Sequence, residues 1–142
     1  VRTLLDANAL VAVILGEPAM ELVRGLLREG NVAMAAPNVV EVYDIARRRE
    51  GIPVERVAEV VEPLFEGTIE QLAIDAGLAR RAAEIRIEHY HRKTRALSLA
   101  DVILLAAARP ADRLATSDSD VLAVADGLGI ETIKLPRNRQ SS

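Results

Sequence analysis

The sequence is 142 residues long, carries a formal charge of −3, is 50% apolar and contains no cysteine. That length suits one compact domain with a proper core rather than two, and the missing cysteines exclude a disulfide scaffold, a thiolate metal site and a cysteine nucleophile. A slightly acidic chain has no overall charge with which to grip nucleic acid, so such a substrate would need local basic patches or a bound cation.

With only Tyr43, Phe65 and Tyr90 as aromatics, the core must be built from Ala, Val, Leu and Ile, as suits helices laid on a buried aliphatic sheet. Arg2 to Leu5 reads as an opening strand with Asp6 at its C-terminal edge, followed by a short helix from Asn8 to Leu15 that Gly16 breaks. Pro18 fits the first turn of a second helix to about Arg28, stopped at Gly30. Val32 to Ala35 is the second strand, and Pro37 opens a helix through Glu41 and Tyr43 to the arginines before Gly51. Pro53 begins an amphipathic helix through Val57, Val60, Val61 and Leu64, and Thr68 to Leu72 supplies a third strand. A long helix runs from Asp75 to about His91, Arg92 to Ala96 form a polar loop, and Ser98 to Arg109 is helical up to Pro110. Arg113 to Ala115, Ser119 to Leu128 and Glu131 to Ile133 complete a strand, a helix closed by Gly129 and a fifth strand. The alternation predicts a central parallel five-stranded sheet with helices on both faces. Residues 1–135 are expected to form a single domain, and 136–142 a loose tail.

In such sheets ligand sites gather at the carboxyl ends of the strands. Asp6, Glu41, Asp101 and Asp118 all fall there or in the adjoining first helical turns. Each has an ordinary explanation: Asp6 and Asp118 as helix caps, Asp101 answering Ser98 in a capping box, Glu41 as a solvated helix residue. Their joint placement is harder to dismiss, because carboxylates about 4 Å apart repel by roughly 1 to 4 kcal/mol per pair. A divalent cation relieves that repulsion, and an all-oxygen ligand set suits Mg²⁺ or Mn²⁺.

Four segments carry a family resemblance: Leu4-Leu5-Asp6-Ala7-Asn8-Ala9-Leu10, Pro37-Asn38-Val39-Val40-Glu41-Val42, Leu97-Ser98-Leu99-Ala100-Asp101, and Leu114-Ala115-Thr116-Ser117-Asp118. In this order and spacing the chain resembles the PIN-domain nucleases, and within them the VapC-like toxins of bacterial toxin-antitoxin pairs. The resemblance implies a PIN-like three-layer α/β fold and a metal-dependent endoribonuclease. Metal coordination and catalysis would fall on Asp6, Glu41, Asp101 and Asp118, with Asp120 beside them and with Asn8 and Thr116 as supporting polar neighbours. It also implies an RNA substrate, a cognate antitoxin and a homodimer. Family members often carry Thr or Ser directly after the first Asp, where this chain has Ala7, so a hydroxyl contact is expected to be missing.

Arg92, Lys93 and Arg95 precede the Asp101 helix and are candidates for guiding RNA toward the acids; the other basic groups, Arg47 to Arg49 and Arg137 with Arg139, read equally well as solvated helix ends and tail. His89 and His91, two apart on a helix, point to different faces and do not make a zinc site. No glycine-rich phosphate loop is present. The apolar run Ala9 to Leu15 is too short to span a membrane, and Asp6 would interrupt a signal peptide, so a cytoplasmic protein is expected. Two alternatives stand beside the nuclease. One is a receiver-like phosphoacceptor domain, suggested by Lys134-Leu135-Pro136 but lacking an acid after the third strand; the other is a catalytically silent PIN-like binding module.

Overall fold

The first strand, β1 (Thr3–Leu5), is buried throughout, and its two leucines face opposite ways: Leu4 joins one apolar cluster and Leu5 another. The computed structural model describes residues 1–139. The same division by alternate residues recurs in β2 (Val32–Ala35), where Ala33 and Met34 part, and in β4 (Arg113–Thr116), where Leu114 and Ala115 part. Side chains alternate across a strand, so a strand that is apolar at every position requires cover on both faces.

That cover is supplied in chain order. Helices α1 (Ala7–Leu15), α2 (Met20–Glu29), α3 (Ala36–Glu50) and α4 (Val54–Gly67) pack on the Leu5 face through Leu10, Val23, Val42 and Val57. Helices α5 (Ala76–His89), α6 (Leu99–Ala107) and α7 (Ser119–Gly127) pack on the Leu4 face through Leu78, Leu104, Leu105 and Val121. The remaining strands, β3 (Ile69–Leu72) and β5 (Glu131–Lys134), form the two edges. Their exposed Glu70, Gln71, Glu131 and Lys134 keep those edges from pairing with another chain.

All the pairings are parallel, in the order β3-β2-β1-β4-β5. The chain therefore winds outward from β1 to β3 and then returns to the other side of β1 for β4. Connections leave β1 and β4 in opposite directions, which opens a crevice at their C-terminal ends. A receiver domain has the order 2-1-3-4-5, so this topology overturns the phosphoacceptor alternative.

The expected elements are present, with ends shifted by a residue or two. The larger shift is at α2, which starts at Met20 because Pro18 and Ala19 form a preceding turn. Pro63 lies inside α4 on its exposed side, where the lost N–H bond is tolerated at the surface. At the N-terminal end of the sheet, buried Arg2 clasps Asp112 through two bonds, Nε to Oδ1 at 3.2 Å and a terminal nitrogen to Oδ2 at 2.7 Å. After β5, Leu135 is buried and Arg139 reaches back to α1; of the expected tail, residues 140–142 lie outside the described residues. No described helix is long and apolar enough to cross a membrane.

Candidate active site

Asp6 ends β1 and caps α1. Its Oδ1 accepts the Ala9 N–H at 2.9 Å, and its Oδ2 accepts the Thr116 hydroxyl at 2.5 Å. Thr116, at the end of the neighbouring strand, also accepts the Asp118 N–H at 3.0 Å, so one hydroxyl fixes the two acids that flank the crevice. Asp118 caps α7, its Oδ1 receiving the N–H groups of Asp120 at 2.8 Å and Val121 at 3.0 Å. Asp101 completes a capping box on α6: its Oδ2 accepts the Ser98 N–H at 3.0 Å while Ser98 Oγ accepts the Asp101 N–H at 3.1 Å. The capping explanations for these three acids therefore hold. These caps set the acids at the N-terminal ends of α1, α6 and α7, where the helix dipoles favour negative charge, and the acids lie near enough for their charges to act on one another.

Glu41 belongs to no cap. It sits half-buried near the start of α3, with Oε1 3.4 Å from the amide nitrogen of buried Asn38. Asn38 Oδ1 is itself buried without a partner, a polar atom that the protein alone does not satisfy.

The charges of the cluster act on one another. Burial pushes Asp6 up to about 6 against the pull of its two hydrogen bonds, and the charges of Asp101 and Asp118 add to the rise. Burial likewise raises Glu41, helped by Asp101 and Asp6, and raises Asp101, helped by Asp118 and Asp120. The acids thus share one electrostatic environment. Among the described residues, however, no three acidic or histidine side chains are already gathered closely enough to hold a metal ion. The donor chemistry still fits a hard cation, because Asp101 Oδ1, Asp118 Oδ2 and Glu41 Oε2 are not spent on scaffold hydrogen bonds.

The other expected residues are placed less uniformly. Asp120 and Asn8 line a cleft of about 450 Å³ beside Asp118, and the bond Asn8 makes there is through its backbone carbonyl, to Asn138. The same cleft is also lined by Arg48 and Arg49 from α3 and by Arg137 and Arg139 from the C-terminal stretch. Arg92, Lys93 and Arg95 lie instead in a tight turn closed by reciprocal His91–Arg95 backbone bonds of 2.8 Å, away from the cleft lining. His91 serves that turn, its Nδ1 accepting the Lys93 and Thr94 N–H groups at 3.3 and 3.2 Å. The sequence showed both arginine groups as basic runs but gave no sign that they meet, and it gave no notice of buried Glu17, which binds two of them.

Comparison with known proteins agrees with this fold. The PIN domain profile matches residues 3–127. Ribonuclease VapC42 of Mycobacterium tuberculosis is 34% identical over 82 residues, covering 57% of this chain and 61% of that protein. A VapC ribonuclease of Mycobacterium bovis matches over the same extent. The chain thus spans about three-fifths of the length of these curated relatives, 61%. Among solved structures, FitAcB of Neisseria gonorrhoeae superposes with a TM-score of 0.66 at 24% identity over 93% of this chain and 96% of that one. VapC20 of Mycobacterium tuberculosis superposes with a TM-score of 0.67 at 19% identity, over 85% of this chain and 93% of that one. These identities speak to fold, and the profile match covers nearly the whole chain: the protein belongs to the PIN domain family.

Proposed function

We propose that the protein is a metal-dependent endoribonuclease that hydrolyses RNA phosphodiester bonds, and that it is the toxin of a VapBC-type toxin-antitoxin pair. The observation that carries the reading is the convergence of Asp6, Glu41, Asp101 and Asp118 at the β1–β4 crevice, where the charges acting on these acids include one another's. Those four, with Asp120 beside them, would hold Mg²⁺ or Mn²⁺. A bound cation would supply Lewis acidity to the phosphodiester and an activated water at neutral pH.

The chain's own part is positional. Thr116 and the Ala9 N–H hold Asp6 rigid, and the Ser98 box holds Asp101 with Oδ1 free. Asp101 or Asp118 takes the proton from the attacking water, each having an oxygen that no backbone N–H occupies. Relatives named as VapC ribonucleases support the substrate class. A neighbour from a Klebsiella pneumoniae toxin-antitoxin complex, with a TM-score of 0.65 at 21% identity, supports an antitoxin as partner. On this reading the protein works in the cytoplasm as a homodimer.

Asp6→Asn and Asp101→Asn are each expected to abolish RNA cleavage with the fold retained by circular dichroism, and a chelator is expected to stop the wild type. Induced expression should arrest growth, and the neighbouring reading frame should relieve it. A double variant with undiminished cleavage would overturn the role given to these acids, whereas a wild type that binds RNA but leaves it whole with Mn²⁺ present would make the protein a silent binding module instead.

A further inference from the structure

The cleft beside Asp118 is lined by groups of both charges: Asp118 and Asp120, and a basic wall of Arg48, Arg137 and Arg139. Arg48 belongs to the same face of α3 as Glu41, because positions 41, 45 and 48 follow helical spacing and Ile45 also lines the cleft. A stripe therefore runs from the acid cluster to the arginines over about 10 Å of helix, a distance of a few nucleotides.

The basic wall is built by an ion-pair group that lies outside the acid cluster. Glu17, whose side chain is 2% exposed, receives Arg49 at 2.7 Å on one oxygen and Arg139 at 3.4 Å on the other. The Arg139 N–H adds a bond to Glu17 at 3.0 Å, and Arg49 donates to the Arg139 carbonyl at 2.8 Å. Arg139 also reaches the Gly16 carbonyl at 3.2 Å, and Asn138 reaches the Asn8 carbonyl at 3.1 Å. A buried carboxylate with this many donors fixes the C-terminal stretch across the end of α1. Arg137 is thereby held at the cleft with no ion-pair partner among the described residues, and Arg48 has only an exposed bond to Asp44 at 2.9 Å. Such an exposed pair is weak and exchanges readily for a phosphate.

We propose that Arg48 and Arg137 receive backbone phosphates of the RNA next to the bond cleaved at the acid cluster, and that Glu17 is the positioning residue that holds the wall through Arg49 and Arg139. The proposal rests on the ribonuclease reading, and it moves the RNA-guiding role from the Arg92 turn, which does not line the cleft, to the arginines that do. Each arginine should contribute a salt-dependent, sequence-independent contact.

The test measures binding of a fluorescein-labelled single-stranded RNA pool of mixed sequence to the full chain in the Asp101→Asn background, across a KCl series. Arg48→Ala and Arg137→Ala are each expected to weaken binding about tenfold at low salt. Each should also flatten the slope of log affinity against log salt by about 0.7. Arg137→Lys should recover the slope, and Glu17→Gln should weaken binding without loss of the melting transition. Should Glu17→Gln not fold, the Arg137→Ala and Arg137→Lys pair decides the matter alone. In the active background, Arg137→Ala should raise KM and leave kcat nearly unchanged. Unaltered affinity and slope in the Arg48→Ala/Arg137→Ala double variant would overturn the proposal, as would an equal effect from Arg92→Ala/Lys93→Ala. If the wild type cleaves RNA, such a result leaves the nuclease reading standing; if the wild type neither binds nor cleaves RNA, both fall together.

Discussion

Asp6 is under two opposed demands: it must be buried to cap α1 and meet Thr116, yet it must be ionised to serve a cation. Its carboxyl is pushed from 3.8 up to about 6, mainly by burial. The unfolded chain therefore releases this proton first as pH rises. Stability from this group is fully present below about 3.8, is lost as pH climbs to about 6, and stays lost above that. Roughly two units correspond to about 3 kcal/mol at most. Glu41 and Asp101 are raised for the same cause and add to the loss with the same sign. Asp6→Asn removes the buried charge, and the Thr116 hydroxyl can turn from donor to acceptor to meet the new amide. Chemical denaturation of metal-free protein at pH about 7.5 is expected to show this variant more stable than wild type, by up to about 3 kcal/mol, although it cleaves nothing. A variant less stable than wild type at neutral pH would mean that the hydrogen bonds of Asp6 outweigh the cost of burying its charge.

Among the elements, the sheet is pinned at the end away from the site. Arg2 precedes β1 and Asp112 precedes β4, and their buried two-point pair fixes the offset between these strands, with Glu70 of β3 3.5 Å from the same guanidinium. The neighbouring guanidinium and the Arg109 N–H hold Asp112 below the usual carboxylate range against the opposing effect of burial, so this pair loses its contribution as pH falls. Asp112→Ala leaves Arg2 buried without its principal partner and is expected to cost about 3 kcal/mol or more in denaturant titration. Because β1 and β4 deliver Asp6 and Thr116, cleavage should also lose activity at temperatures below the wild-type midpoint. The helices and strands were legible before the fold because local chemistry marks them: Gly16, Gly30 and Gly51 lie at positive φ just past helices, and Pro37 and Pro53 lie at helix starts. The Arg2–Asp112 pair was not legible, since 110 residues separate its partners and each alone resembles a surface charge.

For the molecule as a whole, a cation should act as the missing part of the tertiary structure. Mn²⁺ is expected to raise the melting midpoint, with about 2.7 kcal/mol of stabilisation at a hundredfold excess over its dissociation constant. Protons compete for the same carboxylates, so the shift should be large at pH about 7.5 and small at about 5, and absent in an Asp6→Asn/Asp101→Asn protein. A midpoint indifferent to Mn²⁺ at neutral pH would remove the metal from the reading. The sequence by itself determined the strand-helix alternation and the two-sided apolar core, and it singled out Asp6, Glu41, Asp101 and Asp118 as candidates, because hydrophobic period and helix-start chemistry are local properties written residue by residue. Only the tertiary structure decided that β4 returns beside β1, that Thr116 bridges Asp6 and Asp118, and that Glu17 gathers Arg49 and Arg139 into one wall. Those outcomes depend on strand order and on which side chains meet across the fold, and such contacts carry no periodic signal along the chain.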